Sequence, residues 1–270
     1  MEKVKEKINV IKVGGGVVED AASLASLLSQ FASLPGNKVL VHGGGRSATK
    51  IASQLGIESR MVGGRRITDE QMLQVVTMVY GGLVNKNVVT QLQACGVNAL
   101  GLTGADMNVI KSHKRPLKRM TLEDGTQEMV DFGYVGDVDR VDGDRLAQLV
   151  ATGIVPVMSP LTHDGEGHIL NTNADTIASE VARALTPHYE VTLTFCFEKK
   201  GVLYNADDDD SVIAHINKAD FERLLGEGII AGGMIPKLEN SFLAIDQGVS
   251  KVVITRADNI DGSQGTTIEN

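Results

Sequence analysis

Apolar residues fall into two rhythms along the chain. Ile8-Asn9-Val10-Ile11-Lys12-Val13 is short, β-branched and nearly continuous, as in a buried parallel strand, and it breaks into Gly14-Gly15-Gly16. Leu24, Leu27, Leu28, Phe31 and Leu34 then recur at helical spacing until Pro35-Gly36, which predicts a helix over 19–34. Lys38-Val39-Leu40-Val41-His42 repeats the strand signal and breaks into Gly43-Gly44-Gly45, and a helix is expected over 47–55. The first 56 residues therefore read β-loop-α-β-loop-α. If the two strands are parallel neighbours, their glycine loops share one crevice at the carboxyl ends, where open α/β sheets take ligands.

Downstream, a helix is predicted from 69 into Gly81-Gly82, and a second one carries Asn85-Lys86 and ends near Cys95. A strand follows over 99–102. Residues 105–141 are polar and weakly alternating, with Gly125, Gly133 and Gly136, which predicts hairpins over the sheet edge. Helix 145–151, strand 154–158, a hairpin over 162–170 and a helix over 173–185 come next. Thr186-Pro187-His188 reads as a boundary, dividing the chain into lobes 1–187 and 188–270. The second lobe reads as strand 191–197, an acidic turn at 207–210, helices 217–225 and 234–247, and strands 251–255 and 266–268. The pattern is α/β throughout.

Composition narrows the class. The 270 residues carry a net charge of −8, against the basic stripe expected of a nucleic-acid binder. Cys95 and Cys196 are too few for a disulfide scaffold. The charged N-terminus has no signal-peptide core and no apolar run reaches membrane-spanning length, so a soluble, cytoplasmic protein is expected. Glycine is in excess, 30 of 270 residues or 11%, against about 7% in ordinary usage. The two triplets after strands are where that excess is informative.

Glycine lets backbone N–H groups approach an anion closely, and a helix N-terminus adds positive potential. Two such loops in succession, with Lys12 just ahead of the first, favour a phosphate site over two tight turns. There is no Gly-x-x-x-x-Gly-Lys-Ser/Thr string, which excludes a P-loop NTPase. Gly43-Gly44-Gly45-Arg46-Ser47-Ala48 fits the dinucleotide pattern, but no apolar strand ending in an acid follows it, so a nicotinamide dehydrogenase is only the runner-up. Arg65-Arg66, in a glycine-flanked loop, suits carboxylate recognition or a solvated turn. Asn171-Thr172-Asn173-Ala174-Asp175 opens a helix, where Asn and Asp also serve as caps. Lys237 in the first turn of a helix is electrostatically misplaced unless an anion or solvent receives it. The run 207–210 lacks the spacing of a calcium loop and reads as a solvated turn; no protein-bound metal is expected.

Taken together, Lys12-Val13-Gly14-Gly15, Val41-His42-Gly43-Gly44-Gly45, Gly64-Arg65-Arg66-Ile67-Thr68, Val84-Asn85-Lys86, Asn171-Thr172-Asn173-Ala174-Asp175 and Gly233-Met234-Ile235-Pro236-Lys237 resemble the amino acid kinase family, within it the acylglutamate branch. The resemblance runs in order from residue 8 to the C-terminal Gly265-Thr266-Thr267-Ile268. It implies an αβα sandwich with a central, mainly parallel sheet, whose first lobe binds an N-acyl-L-glutamate and whose second binds ATP. It further implies phosphoryl transfer from ATP to the glutamate side-chain carboxylate, with Mg²⁺ arriving on the nucleotide. By match, Lys12 and Lys237 would flank the transferring phosphoryl group and Asp175 would hold both lysines. Gly44, Gly45, Arg66, Asn171 and Asn173 would bind substrate. Gly14, Gly15, Gly43, Gly233 and Glu198 would serve the phosphates and nucleotide. The same match leaves open another acceptor within the family, or a non-catalytic sensor of the same fold.

Three departures stand out. Glu198 replaces the usual Asp near the nucleotide. Arg46 and the doubled Arg65 add positive charge near the expected acyl pocket, which suggests an N-succinyl rather than an N-acetyl substrate. The short stretch before the first strand leads to the expectation of a homodimer without arginine feedback.

Overall fold

The computed structural model describes residues 4–121, 125–232, 234–261 and 263–270. Its centre is an eight-stranded sheet made of β1 (Glu6–Val13), β2 (Asn37–His42), β3 (Ala99–Leu102), β4 (Val155–Met158), β5 (Tyr189–Phe197), β6 (His215–Ile216), β7 (Lys251–Arg256) and β8 (Thr266–Ile268). Their order is β6-β8-β7-β5-β1-β2-β4-β3. From β7 to β3 every neighbour is parallel, while β8 runs antiparallel to β7. This is the expected mainly parallel sheet, and it crosses the 187/188 boundary without a break because β1 lies between β2 and β5.

Side chains alternate across this sheet into two cores. Ile8 and Val10 of β1 join Val191, Leu193 and Phe195 of β5 beneath the helices Gly143–Ala151, Ala174–Leu185 and Met234–Asp246. Ile11 and Val13 face the opposite way, against the helices Ala21–Ser33, Gly45–Gln54 and Asn85–Ala94. Lys12 shares the parity of Ile8 and Val10, so it projects toward the first face at the strand's carboxyl end. The 105–141 segment forms hairpins as expected, Lys118–Thr121 with Gln127–Val130 and Ile110–Lys114 with Gly136–Val141. No helix among the described residues is long and apolar enough to cross a membrane.

Two elements differ from the sequence pattern. The helix expected over 19–34 is two helices, Gly15–Glu19 and Ala21–Ser33, because the Asp20 side chain accepts from Ser23 N at 2.7 Å and caps a fresh start. The first glycine triplet is therefore itself a helix N-terminus. Conversely, Gly81-Gly82 does not end a helix: Glu70–Val76, a π-helical stretch Thr77–Val84 and Asn85–Ala94 run on continuously. The wider π turn directs Tyr80 and Val84 at the second glycine loop, and such π segments often mark functional sites.

Candidate active site

The parallel pairing of β1 with β2 sets the two glycine loops side by side. Gly43 N donates to Val13 O at 2.9 Å, and a side chain on Gly15 would point at the amide nitrogens of Gly44 and Gly45, 3.7 Å away. Gly15 begins one helix and Gly44 caps another without a side-chain bond, so N–H groups of two helix N-termini, unpaired among the described residues, meet in one place. Tyr80 closes the second loop from behind: a Cβ on Gly44 would lie 2.9 Å from its ring. Only glycine fits there.

The lysines reach this place from the first face of the sheet. The helix Ala174–Leu185 starts beside Lys12, capped by Asn173, whose Oδ1 accepts from the amides of Asp175 and Thr176. Asp175, in the first turn, holds Lys12 Nζ at 2.8 Å. The helix Met234–Asp246 brings Lys237 Nζ to 3.7 Å above the ring of Phe197, and Lys12 Nζ stands 5.3 Å from that ring. The β1–β5 register, which pairs Lys12 with Phe195 and Val13 with Cys196, places Phe197 under both ammonium groups. Burial pulls the Lys237 pKa down; the Asp175 carboxylate opposes this, and Lys12 adds to it. Asp175 thus touches Lys12 and acts on Lys237 only through space. Two ammonium groups, that of Lys12 buried and that of Lys237 half-buried, face a region lined by backbone N–H donors, an arrangement that an anion completes.

On one side of the lysines is a cavity of about 200 Å³ lined by Gly43, Gly44, Gly45, Arg65, Arg66, Tyr80, Arg115, Asn171 and Asn173. Arg66 is buried and committed: its Nη2 donates to Gly45 O at 2.8 Å and Thr49 Oγ1 at 2.9 Å, and its Nη1 to Ser59 Oγ. It therefore ties the second loop to the 59–66 segment while facing the cavity. Burial raises the Tyr80 pKa, against the neighbouring Arg66 charge, so the phenol stays neutral. Asn171 donates to Thr68 Oγ1 at 2.9 Å. Arg115 grips Asp137 with Nε and Nη2, holding that carboxyl below the usual range, while its buried Nη1 has no partner among the described residues.

On the other side, a cavity of about 490 Å³ opens between the first glycine loop and the end of β5, lined by Gly14, Gly15, Gly16, Phe197, Glu198, Lys199, Met234 and Lys237 among others. Here the structure corrects one expectation. Arg46 leaves its helix toward the first loop and pairs with Glu198 at 3.1 Å, both exposed; it does not line the cavity of about 200 Å³ where the acyl group is expected. Arg65 does. Cys196, beneath the loop, is buried and its thiol is pushed up to about 12, which makes it an inert core residue. Gly233 lies outside the described residues. Tyr80, Arg115 and Phe197 escaped sequence reasoning as site residues, since each sits in a stretch whose apolar or polar rhythm reads as ordinary structure.

The sequence profile of the amino acid kinase family matches residues 7–256. An acetylglutamate kinase of Bacteroides fragilis is 64% identical over 268 residues, covering 99% of each chain. Its Bacteroides thetaiotaomicron counterpart is 63% identical over 266 residues, covering 98% of this chain and all of that one. Among solved structures, a protein of Streptococcus mutans UA159 superposes with a TM-score of 0.76 at 27% identity, covering 97% of this chain and 98% of that one. With its paired glycine loops and converging lysines, this chain belongs to the amino acid kinase family.

Proposed function

We propose that this chain transfers the γ-phosphoryl group of ATP to the side-chain carboxylate of N-acetyl-L-glutamate, as an acetylglutamate kinase in arginine biosynthesis. The observation that carries this reading is the convergence of Lys12, held by Asp175, and Lys237 between a small arginine-lined cavity and a larger cavity at the first glycine loop. An acylated glutamate fits the first and ATP the second. A carboxylate oxygen of the acceptor attacks the γ-phosphorus, the bond to the β,γ-bridging oxygen breaks, and ADP leaves with that electron pair. No general base is needed, because the acceptor is already ionised at neutral pH. The chain's work is positioning and charge neutralisation. Lys12 and Lys237 neutralise the phosphoryl oxygens from two sides, and the Gly15 and Gly44 amides donate to them. Arg66 and Asn171, with Asn173 and Gly45, orient the acceptor. Glu198, Gly14, Gly43 and Gly233 belong to the nucleotide and phosphate side, and Mg²⁺ is carried in on ATP.

We assign acceptor binding to 1–187 and nucleotide binding to 188–270, with the glycine loops serving both. A homodimer is part of the proposal. Met78 and Leu83 of the π-helical stretch and Leu100 of the edge strand β3 are exposed apolar side chains on the side of the molecule remote from β6, and mutual burial would remove them from water. ATP-dependent acyl-phosphate formation, trapped with hydroxylamine, tests the activity on N-acetyl-, N-succinyl- and free L-glutamate side by side. Turnover of N-acetyl-L-glutamate with free glutamate inert is the expected result. Faster turnover of the succinyl compound reassigns the acyl group, and silence on all three with ATP still bound moves the reading to another family acceptor or a sensor.

A further inference from the structure

His42, the last residue of β2, is wholly buried directly ahead of the second glycine loop. Its Nδ1 lies 2.7 Å from Gly43 O and its Nε2 lies 3.0 Å from Asn85 Nδ2. An amide nitrogen only donates, so Nε2 must accept, and the ring proton sits on Nδ1 and is donated to Gly43 O. Burial keeps the ring neutral, with its pKa pulled down to about 4. The second proton of Asn85 Nδ2 goes to Val157 O at 3.0 Å. Asn85 Oδ1 in turn accepts from Lys86 Nζ at 3.0 Å, and that ammonium also donates to Gly101 O at 3.1 Å. Every donor in this chain points the same way, from the Lys86 charge through Asn85 and His42 to the Gly43 carbonyl.

That carbonyl and the Gly44 N–H belong to one peptide unit. Among the described residues the Gly44 amide donates to nothing within the chain. A carbonyl that accepts a hydrogen bond draws density from its own N–H, and aligned bonds reinforce one another in a low-dielectric interior. We propose that His42, Asn85 and Lys86 are positioning residues: their one-way relay fixes the plane of the Gly43–Gly44 peptide and strengthens the Gly44 N–H as a donor to the phosphoryl group. The inference rests on the phosphotransferase reading for its catalytic consequence, and it gives the Asn85-Lys86 pair a task beyond packing. The strengthened N–H would act on the phosphoryl group in flight, whose charge is spread over its three equatorial oxygens.

Two measurements on the unliganded full-length protein decide the relay without any substrate. In ¹⁵N spectra, His42 is expected as the Nδ1–H tautomer and is expected not to titrate between pH 5 and pH 8; an Nε2–H tautomer overturns the relay. The Gly44 amide proton is expected to move upfield in Lys86→Met, whose exposed side chain spares the core, and further in Asn85→Leu. A Gly44 resonance indifferent to both substitutions overturns it. Kinetics then test the consequence: kcat falls about threefold in Lys86→Met and about tenfold in Asn85→Leu, less than the loss of a whole oxyanion donor, with both KM values within twofold. A rise in KM at unchanged kcat contradicts it. If the acylglutamate assay is silent while both spectra behave as expected, the functional reading fails and the relay stands.

Discussion

The chain spells Gly-Gly-Gly twice after a parallel strand, and the two loops have different surroundings. The second, 43–45, lines a cavity but is clamped from behind: Tyr80 lies against Gly44, Arg66 holds Gly45 O, and His42 holds Gly43 O. The first, 14–16, faces a cavity, and a Cβ on Gly16 would meet only the far ends of Arg46 and Glu198, both at 3.1 Å. An identical tripeptide is therefore packed tightly from behind in one place and backed at its last residue only by exposed side chains in the other. What decides the role is the packing behind the loop rather than the loop itself.

The largest effect tests what the loops share. Lys12→Met removes the ammonium that Asp175 holds beside both, and kcat is expected to fall by about 10²–10³-fold while ATP binding, followed by calorimetry, changes little. Next, Gly44→Ala forces the Tyr80 ring to move, with a loss of about 1–3 kcal/mol in urea unfolding and a kcat/KM lower by roughly 10²-fold. Adding Tyr80→Leu should recover part of the stability.

A third effect concerns the base of the second loop. His42 titrates at about 4 when folded and near 6.5 when unfolded, so between those values the unfolded chain alone binds the proton. Its contribution is complete above pH 6.5 and is lost as pH falls to 4, about 3 kcal/mol in all, and a His42→Gln variant should lack that component. The smallest effect is on the open loop: Gly16→Ala should change kcat less than threefold, because exposed Arg46 and Glu198 can swing away. Equal damage from Gly16→Ala and Gly44→Ala would erase the distinction between the loops.

Much of this was readable in one dimension. The strands β1 and β2 announce themselves as buried apolar runs, and their glycines follow at once, so the crevice was legible. Asn173 was legible as a cap because an N-cap is a local event. Lys12 and Asp175 were legible as motif members, whereas their contact depends on which face of β1 Lys12 occupies and which helix covers it. Gly81-Gly82 misled, since helix propensity ranks glycine as a breaker and tertiary packing overrode it with a π turn. Arg46 misled for a related reason: nearness to Gly45 in sequence does not say which way a side chain leaves the first turn of a helix. Arg115, one residue past the strand Ile110–Lys114, and its partner Asp137 in the strand Gly136–Val141 lie in a segment whose polar alternation reads as solvated surface, yet their guanidinium–carboxylate pair is half-sheltered and Arg115 lines the arginine-lined cavity.

The most direct test of the account is calorimetric binding of MgADP–aluminium fluoride, a mimic of the phosphoryl group in flight, in the presence of N-acetyl-L-glutamate. The wild type and Gly16→Ala should bind it far more tightly than MgADP alone, and Lys12→Met and Gly44→Ala should lose most of that gain. Wild-type protein that binds the mimic no better than MgADP, or a Gly44→Ala variant that keeps the full gain, would contradict a phosphoryl site built between two lysines and a clamped glycine loop.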